Sequence, residues 1–147
     1  MRQTSSIRQA GITLVEAAAV LGIASVMVGV AVPALDDLRG ARHLEAAAAE
    51  LRTDIHHARS TAVAMGQTVR LHVHDSTAGS CYVVHTGSAG DCSCQPSGAT
   101  TCTASAQPLR SVGHLRASGI AISANAGSLA FDGFQGTVTP TGSLTVA

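Results

Sequence analysis

The chain has 147 residues, a formal net charge of zero and only three aromatic residues, Tyr82, Phe131 and Phe134. This length suits one domain with its own core rather than two. The nine basic residues are all Arg and form no polybasic tract, which argues against a dedicated nucleic-acid binder. No spacing typical of a catalytic triad, a phosphate-binding loop or an HExxH helix occurs. We therefore expect neither an enzyme nor a cofactor site.

The N-terminal segment is short and basic, and a long apolar stretch follows it. Residues 1–11 contain Arg2 and Arg8 and no acid, while residues 12–35 contain one charged side chain, Glu16. About 20 apolar residues span a bilayer as a helix, and a short basic flank stays in the cytoplasm. The pattern predicts a single transmembrane helix over residues 12–35 in the inner membrane, with the rest of the chain in the periplasm.

Two simpler interpretations of the apolar stretch compete with this one. A cleaved secretory signal has an apolar region of about 7–15 residues, and residues 32–34 could form its cleavage site. A plain single-span anchor of unrelated function is the second. Neither explains Glu16, because an ionisable group inside a membrane segment is costly and is functional by default.

Residues 11–16, Gly-Ile-Thr-Leu-Val-Glu, resemble the processing site of the type IV pilin family. The resemblance implies cleavage after Gly11 by a prepilin peptidase, which makes residues 1–11 a leader peptide. It implies N-methylation of Ile12, a position where Phe is more usual. It also implies that Glu16 neutralises the terminal amine of a neighbouring subunit, since two charges that are each costly in lipid offset one another when paired. Pro33 stands where pilins commonly carry a helix-bending proline.

Residues 36–66 predict a periplasmic continuation of the helix. Good helix formers dominate this segment, and its apolar residues recur at alternating steps of three and four, which is one stripe along a helix. The stripe comprises Ala41, Leu44, Ala48, Leu51, Ile55, Ala58, Ala62 and Met65. Charged residues outside the stripe, predicted to face solvent or neighbouring subunits, are Glu45, Glu50, Arg52, Asp54 and Arg59. Gly66 is the predicted end of the helix.

Residues 67–147 predict a β-rich domain, because β-branched residues, Gly and Ser replace the helix formers. The predicted strands are 68–74, 81–85, 109–115, 120–122 and 128–131, with a final hairpin over 136–146 that turns at 140–142 and a loop over 87–106. A long helix followed by an antiparallel sheet is an α+β order. On the first strand, Arg70, His72 and His74 share one face, and a solvated face is a better interpretation than a metal pair.

The four cysteines are Cys81, Cys92, Cys94 and Cys102. Their clustering suits disulfides in an oxidising compartment. Zinc sites favour wider spacings than the one between Cys92 and Cys94, so we expect no metal. A bridge between these two would be strained, which leaves Cys81–Cys92 with Cys94–Cys102, or Cys81–Cys94 with Cys92–Cys102. The sequence does not choose between the two.

The C-terminal tail is similar to that of a narrower family. Residues 131–136 (Phe-Asp-Gly-Phe-Gln-Gly) and 139–146 (Thr-Pro-Thr-Gly-Ser-Leu-Thr-Val) resemble the end of the GspH/FimT class of pseudopilins. This resemblance implies a pilin-like fold and a structural subunit of a type II secretion pseudopilus or a type IV pilus, active in filament priming and protein secretion. The partners implied are other pseudopilins or minor pilins, the prepilin peptidase and the inner-membrane assembly platform.

The alternative function is that of a DNA-binding minor pilin for DNA uptake. FimT-type pilins implicated in uptake carry a basic motif near the C-terminus, whereas this chain has no Arg after Arg116. Removal of the leader leaves seven Arg against nine acidic residues, a net charge of −2, and a protein that neutralises phosphates needs clustered cations. A cluster of Arg70, Arg110 and Arg116 on the sheet is what this alternative would require.

Overall fold

The structure, a computed structural model, describes residues 13–103 and 105–147, without the side chains of residues 30–37. The chain divides into two compact units, Met1–Arg39 and Gly40–Ala147. Helix α1 (Leu14–Met65) forms most of the described part of the first unit and begins the second. It stops before Gly66, whose φ of 62° is a left-handed conformation that glycine adopts readily. This agrees with the predicted stop.

The described part of the first unit exposes its apolar side chains. The large ones, each between 59% and 86% exposed, are Leu14, Val15, Val20, Leu21, Ile23, Val26, Met27, Val28 and Leu38. No tertiary core is formed by these residues. Within the described residues, the structure contains no helix whose length and apolarity would allow it to cross a membrane.

The described residues of the second unit form nine strands and one short 3₁₀ helix, Arg116–Ser118. The strands are β1 (Val69–Ser76), β2 (Gly79–Thr86), β3 (Cys92–Cys94), β4 (Thr100–Cys102), β5 (Pro108–Leu115), β6 (Ile122–Ala124), β7 (Ser128–Phe131), β8 (Val138–Thr139) and β9 (Leu144–Val146). Five of them form an antiparallel sheet in the order β5-β2-β1-β7-β8. Two small ladders, β3-β4 and β6-β9, complete the α+β fold.

The inner face of the sheet packs against the second half of α1. On β1 the residues Val69, Leu71 and Val73 point inward and are buried, in the period-two pattern of a half-buried strand. The core that they share with the helix also contains Ala47, Leu51, Ala58, Ala62, Tyr82, Val84, Ile120, Ile122 and Phe131. Small alanines on the helix let its backbone approach the sheet closely, and the aromatic rings of β2 and β7 fill the remaining space.

The helix has two flanks, one at each edge of the sheet. Arg110 of the edge strand β5 reaches Glu50 on one flank, with Nη2 and Oε1 2.8 Å apart. At the other edge, a Cβ placed on Gly136 would lie 2.9 Å from Arg59 Nε and 3.3 Å from Val63 Cγ2. The turn between β7 and β8 therefore packs on the opposite flank of α1.

The predicted stripe of the helix is correct in its centre and wrong at three positions, since Ala41, Ala48 and Met65 are exposed. Ala47 is buried where the prediction has Ala48, and Met65 is 51% exposed. The helical repeat of 3.6 residues allows either neighbour at the margin of a stripe, and the sheet decides which of them is covered. Met65 lies in the last turn, where the chain leaves the sheet.

The outer face of the sheet is covered by the segment predicted as a loop. That segment contains the β3–β4 hairpin, whose Cys92 and Cys94 are buried together with Cys81, Val83 and Ala106. Strand β2 is consequently buried on both faces over nearly its whole length. Composition alone does not predict this hairpin, because it is rich in Gly, Ser and Thr and its buried side chains are cysteines.

The predicted final hairpin over 136–146 is wrong. Val138–Thr139 pairs with β7, whereas Leu144–Val146 pairs with β6, so the two segments are strands of different sheets. The predicted strand 120–122 also begins later, at Ile122. Local turn residues indicate where strands end, but the partner of each strand is decided by long-range burial.

Candidate assembly site

The predicted processing site lies largely outside the described residues. Gly11 and Ile12 are not among them, and neither is the side chain of Pro33, although α1 includes that position. Thr13 and Glu16 are described. The Glu16 amide donates a hydrogen bond to Thr13 Oγ1 (3.3 Å), and the Ala17 amide donates one to the Thr13 carbonyl (3.1 Å).

The Thr13–Glu16 pair has the spacing of a capping box at the first turn of α1. A carboxylate in the first turn is also favoured by the helix dipole. The side chain of Glu16 is exposed, and within the described residues it forms no ion pair. Glu16 thus lies in the first turn of the helix, and its carboxylate stays accessible to a group from outside the chain.

A buried carboxylate, Asp54, ties the helix to the sheet. Its Oδ2 accepts a hydrogen bond from the Tyr82 hydroxyl (2.7 Å) and another from Arg110 Nε (3.2 Å). Glu50 binds the same guanidinium through its Oε1. The prediction that Asp54 faces solvent or a neighbouring subunit is wrong, because the residue is 8% exposed and turned toward β2 and β5. Its burial is compensated by a cation and a hydroxyl.

The contact with Asp54 shifts the pKa values of both of its partners, Tyr82 and Arg110. Burial, followed by the hydrogen bond to Asp54 and the nearby negative charges, raises the pKa of Tyr82 far above its usual range. The charge of Asp54 and hydrogen bonds to both carboxylates raise the pKa of Arg110. Tyr82 therefore stays a neutral donor and Arg110 a cation at every physiological pH.

The DNA-binding alternative requires Arg70, Arg110 and Arg116 to cluster, and the structure separates them. Arg110 points to the inner face, where two carboxylates hold it. Arg70 lies on the outer face of β1, and its Nε donates a hydrogen bond to the Gly87 carbonyl (3.2 Å). Arg116 follows β5 in the 3₁₀ helix. The cluster that this alternative would require is therefore not formed by these three arginines.

The cysteines are joined as Cys81–Cys94 and Cys92–Cys102. Cys92 and Cys102 are direct partners in the β3–β4 ladder. Cys81 lies on β2, so the first bridge fastens the hairpin to the outer face of the sheet. Cross-linking of this kind restricts the unfolded chain and stabilises a segment with few large apolar residues.

Histidines occupy the same outer face and are less solvated than predicted. His85 is fully buried, and its Nδ1 lies 2.9 Å from the Thr86 carbonyl. His72 is partly buried beside it, whereas His74 is exposed. Buried atoms without a hydrogen-bond partner in the described structure are His72 Nδ1, His85 Nε2 and Ser128 Oγ. Sequence periodicity could not find this group, because His85 and Ser128 come from other strands.

The pKa of His72 is lowered by its burial and then by the neighbouring imidazoles of His85 and His74. The lowered pKa favours the neutral form of the His72 ring. Among the described residues, no group of three or more His, Cys, Asp or Glu side chains could hold a metal ion.

Comparison with known families gives one match. The family model of the type II transport protein GspH matches residues 47–147. This is more than half of the chain and includes every strand of the second unit. The chain belongs to the GspH family. No curated protein and no solved structure matches it significantly.

Membership of the GspH family describes the chain as a pseudopilin of type II secretion at the level of the family, a structural class rather than an enzymatic one. The matched region contains the Asp54–Tyr82–Arg110 contact and both disulfides. It does not contain Glu16 or the predicted processing site.

Proposed function

We propose that this chain is a minor pseudopilin, a structural subunit of the type II secretion pseudopilus that takes part in filament priming and protein secretion. The observation that carries the proposal is the GspH family match over the folded domain, residues 47–147. The residues that would place this domain in a filament are those of the N-terminal motif: Gly11 and Ile12 for cleavage and methylation, and Glu16 for assembly.

The exposed apolar side chains of the first unit support assembly. Side chains such as Leu21 and Met27, 70% and 69% exposed, have no partner within the described chain. An apolar surface of this kind is covered in a working protein by lipid or by other subunits. We propose that residues 12–35 lie in the inner membrane before assembly and among other pseudopilin helices afterwards, with the second unit in the periplasm. Residue 12 and the side chains of residues 30–35 belong to this proposed span but lie outside the described part of the chain.

Glu16 is proposed to pair with the terminal amine of a neighbouring subunit. In each subunit, cleavage after Gly11 would create such an amine on Ile12, two residues before the first residue of α1. An amine and a carboxylate that are both removed from water stabilise a complex only when they meet one another. The accessible carboxylate at the first turn of α1 supports this role.

The test replaces Glu16 in the full-length protein, in cells that assemble the pseudopilus. Glu16→Ala is expected to leave cleavage of the leader intact, as measured by mass spectrometry of the N-terminal peptide, and to remove the chain from sheared filaments. Glu45→Ala is the matched control, because Glu45 is an exposed carboxylate on the same helix that pairs with Arg42, another exposed residue of that helix. Normal incorporation of the Glu16 variant would contradict the proposed pairing.

A type IV pilus is the other machine in which such a subunit could serve. The same N-terminal motif suits both, whereas the GspH match favours secretion. The DNA-uptake function receives no support from the arginines, since Arg110 is held by two carboxylates on the inner face.

A further inference from the structure

The flank of α1 at the β8 edge of the sheet carries unpaired positive charge. Arg52, His56 and Arg59 follow one another at steps of four and three, which places them on one face of the helix. All three side chains are exposed, and neither arginine forms an ion pair with any described residue. Val63, one turn further, is 48% exposed and continues this face.

Among the described residues, no acidic side chain of the second unit forms an ion pair with Arg52 or Arg59. Glu50 and Asp54 lie on the opposite flank and are bound to Arg110. Glu45 is paired with Arg42 at 3.1 Å. Asp132, in the nearby β7–β8 turn, accepts the backbone amides of Phe134 and Gln135 with its Oδ2. The cations on this flank are therefore available to a partner.

An exposed aromatic ring lies on the β7–β8 turn, which approaches Arg59 at Gly136. Phe134 is 89% exposed, whereas the other two aromatic residues, Tyr82 and Phe131, are each 1% exposed. The turn that carries it packs on the helix, since a Cβ on Gly133 would clash with the backbone of residues 66–67 and Gly136 approaches Arg59 and Val63. We define the cationic flank as Arg52, His56, Arg59, Val63 and Phe134.

The turn that presents Phe134 is fixed before any partner arrives. Asp132 Oδ2 accepts the amides of Phe134 (3.1 Å) and Gln135 (3.0 Å). The Gly136 amide binds the Asp132 carbonyl (2.9 Å), and the Asp132 amide binds the Thr137 carbonyl (2.9 Å). A ring on a preorganised backbone loses little entropy on binding. Aromatic and Arg side chains are also the residue types enriched at protein interfaces.

We propose that the cationic flank docks an acidic surface of a neighbouring pseudopilin. This inference rests on the proposed function and adds the chemistry of the partner. Arg52 and Arg59 are seven residues apart, so their charges are spaced by about 10 Å along the helix axis. The partner surface would present two carboxylates at that spacing and an apolar depression for the Phe134 ring. Opposite charge steers and orients such an encounter, and the buried ring stabilises it.

The test places a photo-crosslinking residue, p-benzoylphenylalanine, at position 134 of the full-length chain in cells that produce the whole secretion system. The expected product is a crosslink to another pseudopilin, whose captured peptide contains Asp or Glu. The double variant Arg52→Glu with Arg59→Glu should reduce the crosslink about tenfold, because two attractions become repulsions. Arg116→Glu, an exposed cation outside this flank, should leave it unchanged.

A second crosslinking position separates this inference from the proposed function. The same photoreactive residue at Leu21 reports on assembly through the apolar helix alone. Pseudopilin crosslinks from position 21 but not from position 134 would overturn the cationic flank and leave the assembly role standing. Loss of both would contradict the proposed function itself. Capture of DNA or lipid at position 134, or a crosslink indifferent to the two glutamates, would also overturn the inference.

Discussion

The two halves of α1 use apolar residues in opposite ways. In residues 14–28 the large side chains, Leu21 among them, are exposed on all sides of the helix. In residues 47–62 the buried apolar positions form one narrow stripe of Ala and Leu that faces a sheet. The second half is explained by the fold of the chain itself. The first half is explained only by something that the chain meets, whether lipid or another subunit.

We expect the largest difference in stability between two leucine variants of α1, one in the buried half and one in the exposed half. Leu51 is 4% exposed, so Leu51→Ala should lower the free energy of unfolding of the second unit by about 2–5 kcal/mol. Leu21 is 70% exposed, so Leu21→Ala should change it by less than about 0.5 kcal/mol. Fluorescence of Tyr82, the only tyrosine, can follow denaturant unfolding of the full-length protein in detergent. Equal losses for the two variants would break the comparison.

A smaller effect is expected from the polar contact between helix and sheet. Asp54→Ala removes the acceptor of Tyr82 and Arg110, which leaves a buried hydroxyl without a partner and should cost about 1–3 kcal/mol. Glu50→Ala removes a half-exposed ion pair with the same Arg110 and should cost less than about 1 kcal/mol. Circular dichroism in denaturant measures both. A larger loss for Glu50 would mean that the surface pair, and not the buried carboxylate, joins the two elements.

The smallest expected effect is the loss of stability in acid that is caused by His72 on the outer face of the sheet. The pKa of His72 is lowered in the folded state by burial, His85 and His74, so the unfolded chain binds more protons in acid. The histidine pKa in the unfolded chain is about 6.5. The free energy of unfolding is therefore undiminished by His72 above this pH, and it decreases as the pH falls below it toward the lower pKa of the folded state. His72→Asn should flatten this decline relative to the native chain, and His74→Asn, which removes only the smallest of the three causes, should flatten it less. Thermal unfolding at a series of pH values measures the slopes; identical slopes for all three proteins would contradict the assignment.

The sequence predicts the local features of the fold well. The long helix, its end at Gly66 and the positions of β1, β2, β5 and β7 follow from periodicity and from helix and strand formers. These signals depend on neighbours within a few residues, which is why they can be recognised without a structure.

The features that the sequence does not predict depend on distant residues. Asp54 is buried because Tyr82 and Arg110, 28 and 56 residues further along the chain, supply its partners. The pairing of β8 with β7 and of β9 with β6 cannot be distinguished from a hairpin by turn residues. The disulfide pattern depends on the register of β3 and β4, which puts Cys92 opposite Cys102. The cationic flank also combines distant residues, because the turn that carries Phe134 packs on the helix near Arg59.

The measurement that tests the central claim most directly is in-cell crosslinking of the tagged full-length protein, followed by mass spectrometry of the captured proteins. We expect to recover pseudopilins of the type II secretion system together with their inner-membrane platform, and we expect to lose them with Glu16→Ala. Recovery of type IV pilus subunits in their place, or of no filament subunits at all, would contradict the central claim.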